Sequence, residues 1–175
     1  MARIAFVLAD DFEDSEFREP HDALYAAGHE LEVIGAKPGV VRGKHGTEVK
    51  VEAAASERDP ARYDALVIPG GYSPDHLRMD KEVVRFVQRF VHADKLVAAV
   101  CHGPQLLIEA DAVEGKKLTS WPSVRTDLLN AGAKWVDREV VVDGALITSR
   151  KPDDLPAFTA AIEKHLGEHT LRHAG

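Results

Sequence analysis

Short, unbroken apolar runs recur along this chain, separated by longer stretches in which apolar residues return every three or four positions. Runs of the first kind read as strands buried on both faces, and stretches of the second kind as helices packed on one side. Residues 3–9 form the first run and predict a buried parallel strand. Phe17, Leu24 and Ala27 then predict a helix ending at Gly28. Residues 31–36 are the next strand. Residues 40–53 alternate apolar and polar positions around Gly43 and Gly46, as a solvent-facing hairpin does. Residues 65–69 predict a buried strand running into Gly70-Gly71. Residues 83–91 read as helix, 96–100 as strand, 104–112 as helix, and 124–130 as a short helix stopped by Ala131-Gly132. The Asp143-Gly144 pair inside residues 140–148 predicts a second hairpin. An amphipathic helix over 155–166 follows, and residues from about 167 to 175 read as a tail.

Strands alternating with helices predict an α/β fold of the flavodoxin-like type. The expectation is one domain over 1–175: a three-layer sandwich with a mostly parallel central sheet. No Gly-x-Gly-x-x-Gly follows the first strand and no Gly-Lys-Ser/Thr phosphate loop occurs, so no nucleotide cofactor is expected. Hydrophobic residues make up 45% of the chain and charged residues 29%, an ordinary globular balance. A net charge of −7 argues against stable nucleic-acid binding. No membrane-length apolar stretch and no signal-peptide pattern are apparent. With one cysteine, the expected location is a reducing cytoplasm.

That cysteine changes the picture most. Cys101 ends an apolar strand and is followed by His102-Gly103-Pro104, where a helix pattern begins at once. This is the strand-turn-helix layout of a nucleophile elbow with Cys in place of Ser. In open α/β sheets, ligands bind beyond the carboxyl ends of the strands. Three loops leave such ends here: 10–16, 70–75 and 101–103. The expected oxyanion-hole donors are the N–H groups of His102 and Gly71. His102 is a candidate general base, or else a solvent-facing histidine at a helix start. One acid of the first loop, among Asp10, Asp11, Glu13, Asp14, Glu16 and Glu19, is expected to face the thiol and to keep its proton there. Asp75 sits after Ser73-Pro74, a good helix start; its alternative role is to orient a histidine. His165, His169 and His173 share a helical spacing, but no metal is expected, because Gly167 interrupts them and no carboxylate supports them.

Asp11-Phe-Glu13-Asp14, Gly43-Lys-His-Gly46, Ala65-Leu-Val-Ile-Pro-Gly-Gly71, Ala99-Val-Cys-His-Gly-Pro-Gln105, Asn130-Ala-Gly-Ala and Val140-Val-Val-Asp-Gly together resemble the PfpI branch of the ThiJ/PfpI superfamily. The likeness spans roughly residues 2–166. It implies a nucleophile at Cys101, an adjacent histidine at His102 and a thiol-contacting acid at Glu13. It also implies that Asp75 reaches the histidine of a neighbouring subunit, in a homodimer or hexamer. Two positions depart from the pattern: Trp121 replaces an aromatic hydroxyl, and Ala145 replaces the Asn often found after Asp143-Gly144. The activity implied is that of a stress-associated cysteine hydrolase of the deglycase or cofactor-independent glyoxalase type. Its substrates would be small aldehyde adducts, glycated proteins or peptides. The alternatives are an intracellular cysteine peptidase and a non-enzymatic oxidative-stress sensor acting through Cys101. No His-x-Glu pair follows the elbow, which argues against a glutaminase.

Overall fold

The structure, a computed structural model, describes residues 1–174. The chain begins with β1 (Arg3–Val7), α1 (Asp14–Ala26), β2 (Glu30–Gly35), β3 (Gly39–Arg42), β4 (Glu48–Val51) and β5 (Ala53–Ala54). It continues with β6 (Ala65–Ile68), α2 (Ser73–Leu77), α3 (Lys81–His92), β7 (Leu96–Val100) and α4 (Pro104–Glu109). It closes with β8 (Lys117–Leu118), α5 (Arg125–Asn130), β9 (Lys134–Trp135), β10 (Val141–Asp143), β11 (Leu146–Ser149) and α6 (Leu155–His173). The main sheet has seven strands in the order β10-β11-β7-β6-β1-β2-β5. Its pairings are parallel except β10 with β11.

Alternation along the strands divides the core in two. Ala5, Val7, Leu66, Ile68, Val97 and Ala99 face the layer of α2 to α5, packing against Leu77, Phe86, Phe90, Leu106 and Leu128. Ile4, Phe6, Ala65, Val67, Ala98 and Val100 face α1 and α6, meeting Phe17, Leu24, Phe158 and Ile162. The result is the flavodoxin-like three-layer sandwich, with the central strands apolar on both faces because both are covered. In α3, Asp80 caps the first turn by accepting the N–H groups of Glu82 and Val83. Val83, Phe86, Val87 and Phe90 then form the buried stripe of that helix.

Several elements differ from the sequence reading. The hairpin of β3 and β4 ends at Val51, and Ala53–Ala54 leaves it to join the main sheet beside β2. In the second hairpin Asp143 pairs with Leu146, so Gly144 and Ala145 form the turn. Only Gly144 of these two has positive φ, at 59°, the pattern of a type II′ turn. The Asp143 carboxylate instead accepts the Lys117 N–H at 2.8 Å, holding the hairpin to β8. The short parallel pair of β8 and β9 carries no strand-length apolar run and escaped the pattern. The expected tail is corrected as well. α6 continues through Gly167 to His173, because a single glycine costs a helix only about 1 kcal/mol. No helix of the described residues is long and apolar enough to cross a membrane.

Candidate active site

Cys101 follows β7 with φ 63°, a left-handed conformation that is strained for a residue with a side chain. Backbone bonds hold it there. Its N–H donates to Ser149 O at 3.0 Å, and its carbonyl accepts the Trp121 N–H at 2.9 Å. Gly103 completes the tight turn by donating to Val100 O at 2.8 Å. A Cβ on Gly103 would lie 2.6 Å from Ile68 O, so only glycine fits this strand-to-helix corner. The elbow expected from Cys-His-Gly is therefore a backbone fact.

The N–H groups of His102 and Gly71, expected as oxyanion donors, point at the Cys101 sulfur and favour its thiolate. α4 is only six residues long, so these individual donors matter more here than a helix dipole. Burial acts most strongly in the other direction, pushing the thiol up, and the neighbouring Glu16 carboxyl adds to the rise whenever it is ionised and as a hydrogen-bond partner of the thiol.

The acid at the sulfur is Glu16, a correction to the assignment of Glu13. Glu16 is fully buried in the first turn of α1, on the same face as Pro20 and Leu24. Its Oε1 accepts the Gly70 N–H at 2.9 Å. Its Oε2 is buried with no bond from any protein donor. The carboxyl interacts with the Cys101 side chain. Burial raises its pKa to about 8, with Glu13 charge adding to the rise and the Gly70 and Cys101 hydrogen bonds opposing it. Protonation removes the charge by which this carboxyl would repel a thiolate and leaves an O–H in the same buried pocket.

Glu13 instead caps α1 with its backbone, its carbonyl accepting the Glu16 and Phe17 N–H groups at 3.1 and 3.3 Å. Its side chain lies 3.3 Å from the Lys44 ammonium and 3.7 Å from His45 Nε2. The two acids are three residues apart, yet only the later one lies on the inward stripe of the helix.

His102 places Nδ1 3.4 Å from Cys101 Sγ and Nε2 3.5 Å from Ser123 Oγ. Its ring stacks on Trp121, with centroids 6.4 Å apart. Burial lowers its pKa and the Lys44 charge lowers it further, so the imidazole is neutral at neutral pH and able to accept a proton. Asp75 lies in the first turn of α2 and is exposed. Among the described residues, no hydrogen bond joins it to His102 within the chain.

The three loops are knitted together by backbone. Phe12 and Gly71 form an isolated antiparallel bridge, the Tyr72 N–H donates to Asp11 O at 2.8 Å, and the Glu13 N–H to Gly70 O at 3.2 Å. Gly71 has φ 74°, and a Cβ there would lie 2.5 Å from Asp11 O and Glu13 N. A cavity of about 320 Å³ opens over the sulfur, lined among others by Glu13, Lys44, Tyr72, His102 and Trp121. Trp121, the position where the resemblance places an aromatic hydroxyl, is part of this lining, whereas Lys44 is a contributor the sequence did not single out. A lysine between two glycines of a hairpin tip gives no sequence sign of which way it points. Glu16 did leave a sign: it falls on the stripe of Pro20 and Leu24, where a charged residue is out of place.

Glu13, Asp14 and His45 bring ligand-type atoms within 4.8 Å of one another, the one such group of three among the described residues. They do not suit a metal ion. Asp14 already accepts the His45 and Thr47 N–H groups, both at 2.9 Å, and the Lys44 ammonium occupies Glu13. The helical histidines make no group of three either, although the His169 and His173 rings lie 4.4 Å apart.

A buried thiol on a strained strand-to-helix corner, beside a buried acid and an imidazole, sits at the carboxyl ends of the strands of a flavodoxin-like sandwich. The chain belongs to the DJ-1/PfpI family, which it matches over residues 2–165. It is 49% identical over 168 residues to "Protein/nucleic acid deglycase 2" of Escherichia coli (strain K12), covering 94% of this chain and 98% of that one. It is 53% identical over 159 residues to "General stress protein 18" of Bacillus subtilis (strain 168), covering 89% and 92%. Among solved structures, a two-domain protein of Anabaena variabilis with DJ-1/ThiJ/PfpI-like and ferritin-like domains superposes with a TM-score of 0.94 at 43% identity. That match covers 95% of this chain and 48% of the larger protein.

Proposed function

We propose that this chain is a cysteine-dependent hydrolase acting on small aldehyde-derived adducts, of the deglycase or cofactor-independent glyoxalase type. The observation that carries the reading is the Cys101 sulfur, which meets two backbone N–H groups and a buried acid at the mouth of a small cavity. Relatives named as a deglycase and as a general stress protein support it. A reducing cytoplasm suits a chain whose one cysteine must remain a thiol.

In this reading the C–N bond of the hemiaminal breaks, the amine leaving with the hydroxyl proton. His102 takes the thiol proton, the sulfur adds to the freed aldehyde carbon, and that proton passes to the aldehyde oxygen, giving a hemithioacetal. Gly71 and His102 N–H groups then shift from the sulfur to the oxygen on the attacked carbon. His102 moves a proton between the two neighbouring carbons, so one is oxidised to a thioester while the other is reduced to an alcohol. Water adds to the thioester, the C–S bond breaks and the thiol is restored. A methylglyoxal hemiaminal plus one water thus gives the free amine and a 2-hydroxy acid, with no external oxidant. Glu16 keeps its proton throughout and donates it in a hydrogen bond to the sulfur. Asp75 of a second copy would steady His102. Its neighbours Tyr72 and Met79, 67% and 84% exposed, offer apolar surface for such a contact.

Turnover of methylglyoxal, of its amine and thiol adducts, and of peptides, compared between wild type and Cys101→Ser, tests the reading. The expected result is adduct and aldehyde turnover that the serine variant loses entirely. Retained turnover in Cys101→Ser contradicts a cysteine mechanism. Cysteine-dependent cleavage of peptides alone would replace this reading with a peptidase.

A further inference from the structure

We propose that Lys44 is an anion-binding subsite of the cavity, which holds the carboxylate of the 2-hydroxy acid formed there. The inference rests on the hydrolase reading and extends it to a residue that reading does not use. The reaction turns a neutral carbonyl adduct into an anion inside a cavity whose walls include two carboxyl groups, Glu13 and Glu16. Glu16 is spared ionisation by burial, and its charge does not oppose the product. Lys44 is the one lysine or arginine among the residues lining this cavity. Its ammonium has three donors, and the Glu13 contact at 3.3 Å engages one carboxylate oxygen, Oε2. The side chain is 44% exposed, so donors remain for a carboxylate entering from the mouth.

The position of Lys44 is built rather than incidental. Its N–H donates to Phe12 O at 3.0 Å, tying the hairpin tip to the loop that carries Glu13. The Gly43 N–H donates to Thr47 O at 2.8 Å and the Gly46 N–H to Gly43 O at 3.0 Å. The buried Asp14 carboxylate accepts from His45 and Thr47. Gly43 packs so closely that a Cβ would lie 2.6 Å from Asp14 Oδ1. Asp14 stays ionised to do this: burial opposes the charge, but the Thr47 and His45 hydrogen bonds outweigh it and lower its pKa. A lysine held this way begins its reach from a fixed backbone, so less is lost on ordering it around a ligand.

Binding of lactate, glycolate and the neutral isostere lactamide to Cys101→Ser, measured by calorimetry, tests the subsite without turnover. Product inhibition by the same compounds tests it in the active protein. Wild-type residue 44 should favour lactate over lactamide. Lys44→Met should weaken lactate and glycolate about tenfold and leave lactamide within about twofold. Lys44→Arg should restore most of the loss, and Glu13→Gln should tighten lactate by releasing the ammonium. Equal affinity for lactate and lactamide, or an unchanged lactate affinity in a folded Lys44→Met protein, overturns the proposal. Lys44-dependent lactate binding in a protein without any adduct turnover would leave the subsite standing and sink the hydrolase reading. Cysteine-dependent turnover with charge-blind product binding would do the reverse.

Discussion

Glu13 and Glu16 begin the same helix, carry the same functional group and line the same cavity, yet the structure gives them opposite circumstances. Glu13 is at the rim, paired with Lys44 and approached by His45. Glu16 is sealed beneath the sulfur, with one oxygen bonded to Gly70 and the other bonded to no protein donor. Burial beside a thiol favours a neutral acid at Glu16. What a carboxyl group does here is decided by which side of the helix it occupies.

The comparison breaks most visibly by removing each acid in turn. Glu16→Leu deletes the donor to the thiolate and should lower kcat/KM about tenfold to hundredfold, the range of one charge-assisted hydrogen bond. Glu13→Gln removes a rim charge and should change kcat/KM by less than about threefold. Parallel kinetics on both variants check the pair, and equal losses would erase the distinction between rim and floor.

A smaller effect lies in stability against pH. The folded state raises the Glu16 pKa from 4.5 to about 8, so its folded form binds more protons than its unfolded form in that window. Its stabilising share is full below the unfolded value and is lost as pH rises through the folded one. The melting temperature of wild type should therefore fall relative to that of Glu16→Gln between about pH 5 and about pH 8, by several degrees. Paired thermal melts across that range measure it, and parallel curves would contradict a buried neutral acid.

The smallest effect concerns His102, whose pKa is lowered by burial first and the Lys44 charge second. The acid limb of kcat/KM should lie below the ordinary histidine range, and Lys44→Met should move it upward by a fraction of a unit. A pH–rate profile of the two proteins tests the shift. An unmoved limb in the variant would mean that another group controls it.

Much of this arrangement was legible in the sequence because it follows from local pattern. The apolar run of β7 breaking at Cys-His-Gly marks the elbow, and Gly70-Gly71 marks the loop that closes on it. The choice between Glu13 and Glu16 was legible only in part. A stretch of six acids between Asp10 and Glu19 carries no sign of which one faces inward until the stripe of Pro20 and Leu24 is extended one turn back. Lys44 depends on long-range docking. The hairpin tip reaches the cavity through Phe12 and Asp14, contacts that periodicity does not encode. The end of α6 was misjudged for the opposite reason, since a glycine that breaks a short helix is tolerated in one of nineteen residues.

The central claim is that a proton held by Glu16 supports the Cys101 thiolate. The most direct test is the rate of Cys101 alkylation by iodoacetamide across pH, in wild type and in Glu16→Leu. Cys101 is the only thiol in the chain, so intact mass reports it without ambiguity. At neutral pH the leucine variant should alkylate about tenfold or more slowly than wild type, because its thiolate has lost a donor in a buried site. A leucine variant that alkylates as fast as wild type, or faster, would show that the acid does not serve the sulfur.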